Sequence, residues 1–245
     1  MNVVKNEFES KILRRTVLDL EDVRGDEDVK AIEQDYVERF APSYVACKVP
    51  LEDVRSIHLL EDAGFNLIEI QYRLTLKLRK PHDTASTPYK FCLVETEGDL
   101  ADVLGVVAKT FIDDRFYIDP HLPDGEELSA ARYAAFVRGS FERPDERVYR
   151  MINSVSGETV AFKTHRILGR AEAMLLLGGV HPDYKKTGIA PLNEYFEFNE
   201  LQSNGIKQIT THVSARNYPI INLEVRGFRF RVRRGFAVLR KLYKP

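Results

Sequence analysis

Met174-Leu-Leu-Leu-Gly-Gly-Val-His-Pro-Asp-Tyr-Lys-Lys-Thr-Gly-Ile-Ala190 is the stretch on which the reading of this chain turns. It reads as a strand, a basic loop and the start of a helix. Leu175 to Val180 form an apolar run of strand length, and a helix-like pattern begins at Ala190. Gly188 lets the backbone approach a ligand closely, and small Ala190 keeps the next turn clear. The first N–H groups of a helix lack internal partners and sit at the positive end of the helix dipole. Such a place suits an anion such as a pyrophosphate, and Lys185 and Lys186 add two full charges to it. Gly178 and Gly179 weaken the strand that carries them, which a closely approaching backbone neighbour would explain. An ordinary strand-to-helix turn with surface lysines fits the same residue types.

Outward from this stretch, Ala190 to Ser203 is helical and stops at Asn204-Gly205. Ile206 to Val213 reads as the next strand, and Pro219 to Arg226 as a short helix. Phe228-Arg-Phe-Arg-Val-Arg233 alternates as a half-buried strand does, with its arginines on the wet face. They could instead meet an anionic ligand or a partner subunit, a homodimer among the options. Upstream, Val148–Asn153 and Thr159–Ile167 make a hairpin. Asp99 to Phe111, with Asp99 as N-cap, and Glu126 to Phe141 are helices. Arg115 to Pro120 reads as a loop of aromatics and charges. Pro81 to Pro88 has two prolines and no apolar period, so 81–90 reads as a linker between a smaller domain, 1–80, and a larger one, 91–245. Within the first block, Ser43–Pro50 is a strand, Leu51 to Ala63 a helix stopped by Gly64, and Asn66 to Arg79 a long strand. No repeat with obvious sequence identity is visible; a strand-helix-strand echo in the first block is faint.

Composition narrows the function classes. With 36 basic and 37 acidic residues the net charge is −1, so nothing attracts nucleic acid globally. No run approaches the roughly 20 apolar residues of a membrane helix, and no apolar signal core follows Met1, so a cytoplasmic protein is expected. Cys47 and Cys92 are too few for a disulfide framework or a thiolate zinc site, and no histidine is spaced for metal ligation.

The basic-x-x-Gly-x-Ala spacing after a strand ending Val180-His181-Pro182 resembles the coenzyme A loop of the GCN5-related N-acetyltransferases. Val213-Ser-Ala-Arg-Asn217 and Gly227-Phe228 resemble that family's strand end, asparagine and closing Gly-Phe, over roughly residues 91 to 245. A narrower likeness is to the dTDP-fucosamine acetyltransferases. It rests on Ile57-His-Leu-Leu-Glu-Asp-Ala-Gly-Phe65, Glu69-Ile-Gln71, Arg115-Phe116 with Asp119, and Arg132-Tyr133.

The resemblance implies an α/β (α+β) fold, a mixed and largely antiparallel sheet flanked by helices, with the smaller α/β domain before it. It implies that the strand through Leu177 to Val180 splays from its neighbour near Thr211 to Val213. Acetyl-CoA, or a longer acyl-CoA such as 3-hydroxybutanoyl-CoA, would then be held by Gly178, Gly179, Val180, Lys185, Lys186, Thr187, Gly188, Ile189, Ala190 and Asn217. The acceptor it implies is the amine of a dTDP-linked amino-dideoxy sugar for surface polysaccharide synthesis, with Arg115, Phe116 and Tyr133 as its contacts. Acylation of a protein N-terminus, a lysine or a polyamine is an alternative, as is coenzyme A binding without catalysis. Many family members carry a tyrosine acid seven residues after the asparagine. Here that position is Glu224, in a segment one residue shorter, and His181 is the second candidate for proton transfer.

Overall fold

Period-two and period-3.6 apolar patterns alternate along the chain, and the elements follow them. The computed structural model describes residues 1–111, 115–122 and 124–243. In chain order these form β1 (Asn2–Lys5), α1 (Glu7–Leu13), β2 (Val17–Glu21), α2 (Val29–Phe40), β3 (Tyr44–Pro50), α3 (Val54–Asp62) and β4 (Asn66–Lys77). Then come β5 (Tyr89–Leu93), α4 (Glu97–Thr110), α5 (Arg115–Ile118), α6 (Gly125–Glu142), β6 (Glu146–Asn153), β7 (Thr159–Ile167) and β8 (Glu172–Val180). A 3₁₀ turn (Pro182–Tyr184) leads to α7 (Ile189–Ser203), β9 (Gln208–Ser214), α8 (Tyr218–Asn222), a π turn (Leu223–Gly227) and β10 (Arg231–Leu242).

All ten strands join one sheet in the order β1-β2-β3-β10-β4-β9-β8-β7-β6-β5. Only β2–β3 and β8–β9 pair in parallel, so the sheet is mixed and largely antiparallel. Each face carries helices. Leu18, Leu20, Val45 and Cys47 pack with α2 and α3, while Ile209, Leu175, Phe198 and Leu201 form the core under α7. On the opposite face Val148 and Phe162 meet α4 and α6, and Val17, Tyr44 and Ala46 meet α1. Among the described residues no helix is long and apolar enough to cross a membrane.

The sequence pattern misplaces several boundaries, each for a local reason. Thr96, not Asp99, caps α4: its side chain accepts the Asp99 N–H while Asp99 reaches back to the Thr96 backbone, a capping box. Arg115–Ile118 is a short helix rather than a loop. The alternation from Phe228 to Arg233 is not one strand face. Phe228 and Phe230 are buried beside α7, Arg229 turns left-handed at φ 67°, and β10 begins only at Arg231. The segment 81–88 is docked: His82 stacks on Tyr195 at 4.1 Å and exchanges backbone hydrogen bonds with the Asn199 amide.

An internal repeat emerges that sequence identity hides. The series β2-α2-β3-α3-β4 recurs as β8-α7-β9-α8-β10, each containing one of the two parallel strand pairs. The halves exchange their last strands: β10 lies against β3, β4 lies against β9, and β4 and β10 pair antiparallel at the centre. Gly64-Phe65 and Gly227-Phe228 stand at matching points, just before those last strands. Residues 1–80 and 91–243 thus contribute to one continuous sheet.

Candidate active site

The parallel ladder of β8 and β9 stops early. Glu172 to Leu175 pair with Gln208 to Thr211, after which the strands part. The cause is a bulge at Leu176, where the β7–β8 register slips between Thr164 and His165. Thr164 closes the slip: its Oγ1 accepts the Leu177 N–H at 3.0 Å and donates to Leu177 O at 3.2 Å. A bulge of this kind bends its strand and re-aims the residues beyond it.

Leu177 N and His181 N both point toward β7, bonding Thr164 Oγ1 and Val160 O. Alternation along a strand therefore turns the N–H groups of Gly178 and Val180 to the other edge, into the gap. Thr110 Oγ1 donates to Val180 O there at 3.1 Å. The two glycines have a reason the sequence did not show. A Cβ on Gly178 would lie 2.6 Å from Lys163 Cδ, and one on Gly179 would lie 2.8 Å from Phe162 Cε1. Side chains of the protein itself, not only a ligand, need them small.

The gap opens into a cavity of about 640 Å³ that passes through the sheet. Phe111, Tyr133 and Phe136 wall it on the α4–α6 face, with Phe111 and Tyr133 stacked at 4.4 Å. Lys163, Glu194 and Glu224 wall it on the α7 face. Glu69 and Gln71 of β4 and His212 of β9 also reach it. So does Asn217, whose side chain caps α8 by accepting the Ile220 N–H at 3.3 Å.

Glu224 sits in the π turn, a distortion found often at functional sites. It is 6% exposed, and its Oε2 has no hydrogen-bond partner. Desolvation first, then repulsion from Glu194 and Glu197 against the pull of Lys163, pushes its carboxyl up to about 8. A carboxylic acid that is neutral at pH 7 can donate a proton. On the other wall, desolvation and the charges of Lys48 and Arg73 hold the His212 imidazole below its usual range.

Beyond the cavity, α7 begins at Gly188, which adopts φ 86° and leaves the helix without a side-chain cap. Lys185, Lys186, Thr187 and Gly188 are exposed, and Lys186 is left-handed at φ 65°. Among the described residues neither lysine has an ion-pair partner. Ile189 is buried and Ala190 half-buried, so the loop is anchored at its helical end. The arrangement is an exposed, uncapped helix start with two free cations, which fits a diphosphate.

His181 lies elsewhere. Its Nε2 is 3.0 Å from Lys109 Nζ and its Nδ1 receives the Asp183 N–H at 3.3 Å, so it holds the turn and does not line the cavity. The side chains of Arg115 and Phe116 fall outside the described residues. Asp119 forms a buried bidentate pair with Arg240, Oδ2 to Nε and Oδ1 to Nη2 at 2.6 Å each. Among the described residues no group of three His, Cys, Asp or Glu is placed to hold a metal ion.

Lys163, Glu194 and Glu197 were not singled out from sequence. The signal was there: Glu194, Glu197 and Leu201 fall on one helical stripe, and all three are buried.

This combination of mixed sheet, splayed parallel strands and uncapped loop is the fold of the GCN5-related N-acetyltransferases. A GCN5-related N-acetyltransferase from Sphaerobacter thermophilus superposes with TM-score 0.68 over 100% of this chain and 76% of its own, at 14% identity. A tandem protein of that class from the clavulanic acid biosynthesis pathway matches with TM-score 0.62 over 94% and 76%, at 12% identity. The glucosamine N-acetyltransferase region of a fungal multi-domain β-N-acetylglucosaminidase matches 98% of this chain and 31% of that one, with TM-score 0.67 and 9% identity. No protein-family model matches the sequence, and no curated protein does.

Proposed function

We propose that this protein transfers an acyl group from acyl-CoA to a primary amine, with a dTDP-linked amino-dideoxy sugar as acceptor. The observation that carries the transfer chemistry is the parting of β8 and β9 beyond Leu175 and Thr211. It turns the N–H groups of Gly178 and Val180 away from β7, with Gly178 lining a cavity that also holds Glu224, whose carboxyl burial pushes up to about 8.

In this reading the pyrophosphate lies on the first turn of α7 and on Lys185 and Lys186. Gly178 and Val180 N–H groups hold the pantetheine and polarise the thioester carbonyl, where backbone donors stabilise the oxyanion. The amine enters from the α4–α6 face, beside Tyr133 and Glu69, and Glu69 takes its proton. Collapse of the tetrahedral intermediate breaks the C–S bond, and Glu224 gives its proton to the departing thiolate.

The acceptor's anionic part has a place to go. Arg73 stands directly between Arg234 of β10 and His212 of β9. Arg73 and Arg234 are like charges opposed across strands, which disfavours the sheet, and an anion beside them relieves the repulsion. Arg234 already pairs with Glu52 at 2.5 Å, which leaves the Arg73 side as the anion-facing end.

Purified protein mixed with acetyl-CoA and a panel of amines should release free thiol with amino sugar nucleotides; glucosamine, a protein N-terminal peptide and spermidine serve as comparisons. Tight coenzyme A binding without thiol release from any of them would remove the catalytic reading. Gly188→Trp tests the loop. A Cβ at Gly188 meets nothing within 4 Å, so the new bulk has room and projects toward the ligand side, while the φ of 86° strains any side chain placed there by about 1–2 kcal/mol. Calorimetric coenzyme A affinity should drop at least about tenfold, the equivalent of one lost 1.4 kcal/mol contact, with the thermal midpoint lowered by only about 2–8 °C.

A further inference from the structure

Buried behind the thioester position is a charge cluster that the reaction scheme leaves idle. Lys163 of β7 ion-pairs with Glu194 of α7, and its Nζ lies 3.3 Å from Glu197 Oε2. Glu197 Oε1 lies 3.2 Å from His165 Nδ1. One ammonium therefore faces three carboxyls, since Glu224 stands at the same wall. Two of them, Glu194 and Glu197, contact it, and Glu224 Oε2, like Glu197 Oε2, has no hydrogen-bond partner among the described residues. The ion pairs commit the ammonium to Glu194 and Glu197; burial still leaves the Glu194 carboxyl above its usual range, with Lys163 pulling it back. The other acidic or basic groups lining the cavity are Glu69, Arg132 and His212 from the α4–α6 face, and Arg216 just beyond β9.

We infer that Glu194 is a positioning residue for Glu224: by holding the Lys163 ammonium to itself and Glu197, it obliges Glu224 to keep its proton. This rests on the reading of Glu224 as the proton donor. Ionising Glu224 as well would put three carboxylates beside one cation in a dry site, a like-charge arrangement that burial makes costly. Removing the charge of Glu194 frees Lys163 to serve Glu224, and both changes favour the ionised form of Glu224. In the wild type the proton stays where the leaving thiolate needs it.

The first readout needs no acceptor; thiol release, the second, uses the acceptor amine that turns over fastest. Infrared difference spectra of the intact protein, followed against pH, show the carbonyl stretch of a protonated buried carboxyl. The band assigned to Glu224 is the one that Glu224→Gln removes. In Glu194→Gln its midpoint should move toward acid by at least about one pH unit, and the alkaline limb of thiol release should move with it. A midpoint that stays in place, or moves toward alkali, overturns the inference. Should Glu194→Gln show no cooperative melt, Glu197→Gln replaces it and is expected to shift the midpoint in the same direction by less; no shift there overturns the inference equally. Failure of the underlying reading looks different: Glu224→Gln would release thiol at the wild-type rate, while the infrared midpoints would still report on Glu194.

Discussion

A Glu224→Gln variant should bind coenzyme A as the wild type does and turn over about 10²–10⁴-fold more slowly, the usual contribution of a positioned proton donor. Glutamine keeps the shape and some polarity but has no proton to give. The pH profile supplies the sharper signature. Glu224 is protonated below its raised value of about 8, so wild-type kcat should hold steady through neutrality and fall as pH rises through 8. The variant should lose that alkaline limb. Stability runs the same way. The folded carboxyl sits above its ordinary 4.5, so its favourable contribution is complete below that value and is lost as pH climbs to about 8. Thermal unfolding at pH 9 should therefore find the variant no less stable than the wild type, separating catalysis from folding. Equal kcat in the two proteins at pH 7 would remove Glu224 from the chemistry.

Asp119→Ala should cost about 3–5 kcal/mol of stability, because it strands the Arg240 guanidinium in the core. Both side chains are almost fully buried, and Arg240 makes a further 3.1 Å bond to Asn66 Oδ1. For a chain of this size that corresponds to a fall in melting temperature on the order of 10 °C. Burial opposes ionisation of Asp119, but the hydrogen bonds and charge of Arg240 override it and hold the carboxyl below its usual range. With the folded value depressed, this stabilisation is present above the ordinary aspartate range and is lost as pH drops through the folded value. The gap between wild type and variant should accordingly narrow in strong acid. Replacing both residues with apolar ones of similar volume should recover much of the loss. If the single variant melts within a degree or two of the wild type, the Asp119–Arg240 pair does not hold the fold together.

The loop and strand from 174 to 190 were legible because their chemistry is local: glycine conformation, helix-start donors and adjacent lysines need no tertiary partner. The splay near Thr211 followed from the family likeness, and its cause did not. It takes a register slip and a threonine hydroxyl on the neighbouring strand, which no single-strand pattern encodes. The contacts of His181 were not legible, because its position beside the proposed thioester says nothing of the Lys109 amine 3.0 Å away. Glu224 was reached through its alignment with a missing tyrosine, but its protonation depends on Glu194 and Lys163, distant in sequence. The first 21 residues show no clear pattern because β1, α1 and β2 are each seven residues or fewer, whereas α2, at 12 residues, is long enough to carry one.

The strand exchange at the middle of the sheet has a consequence for how the molecule is made. Arg240 lies opposite Ala46 on one side and Asn66 on the other, so the strand that completes both halves is synthesised some 170 to 190 residues after its neighbours. Until it arrives, β3 and β4 each present a raw edge, and such edges invite pairing with other chains. Closing so long a loop is slow compared with local contacts. The nascent protein must therefore wait with an open seam through its centre, and a chain cut short before Arg231 would lack one strand but expose two edges.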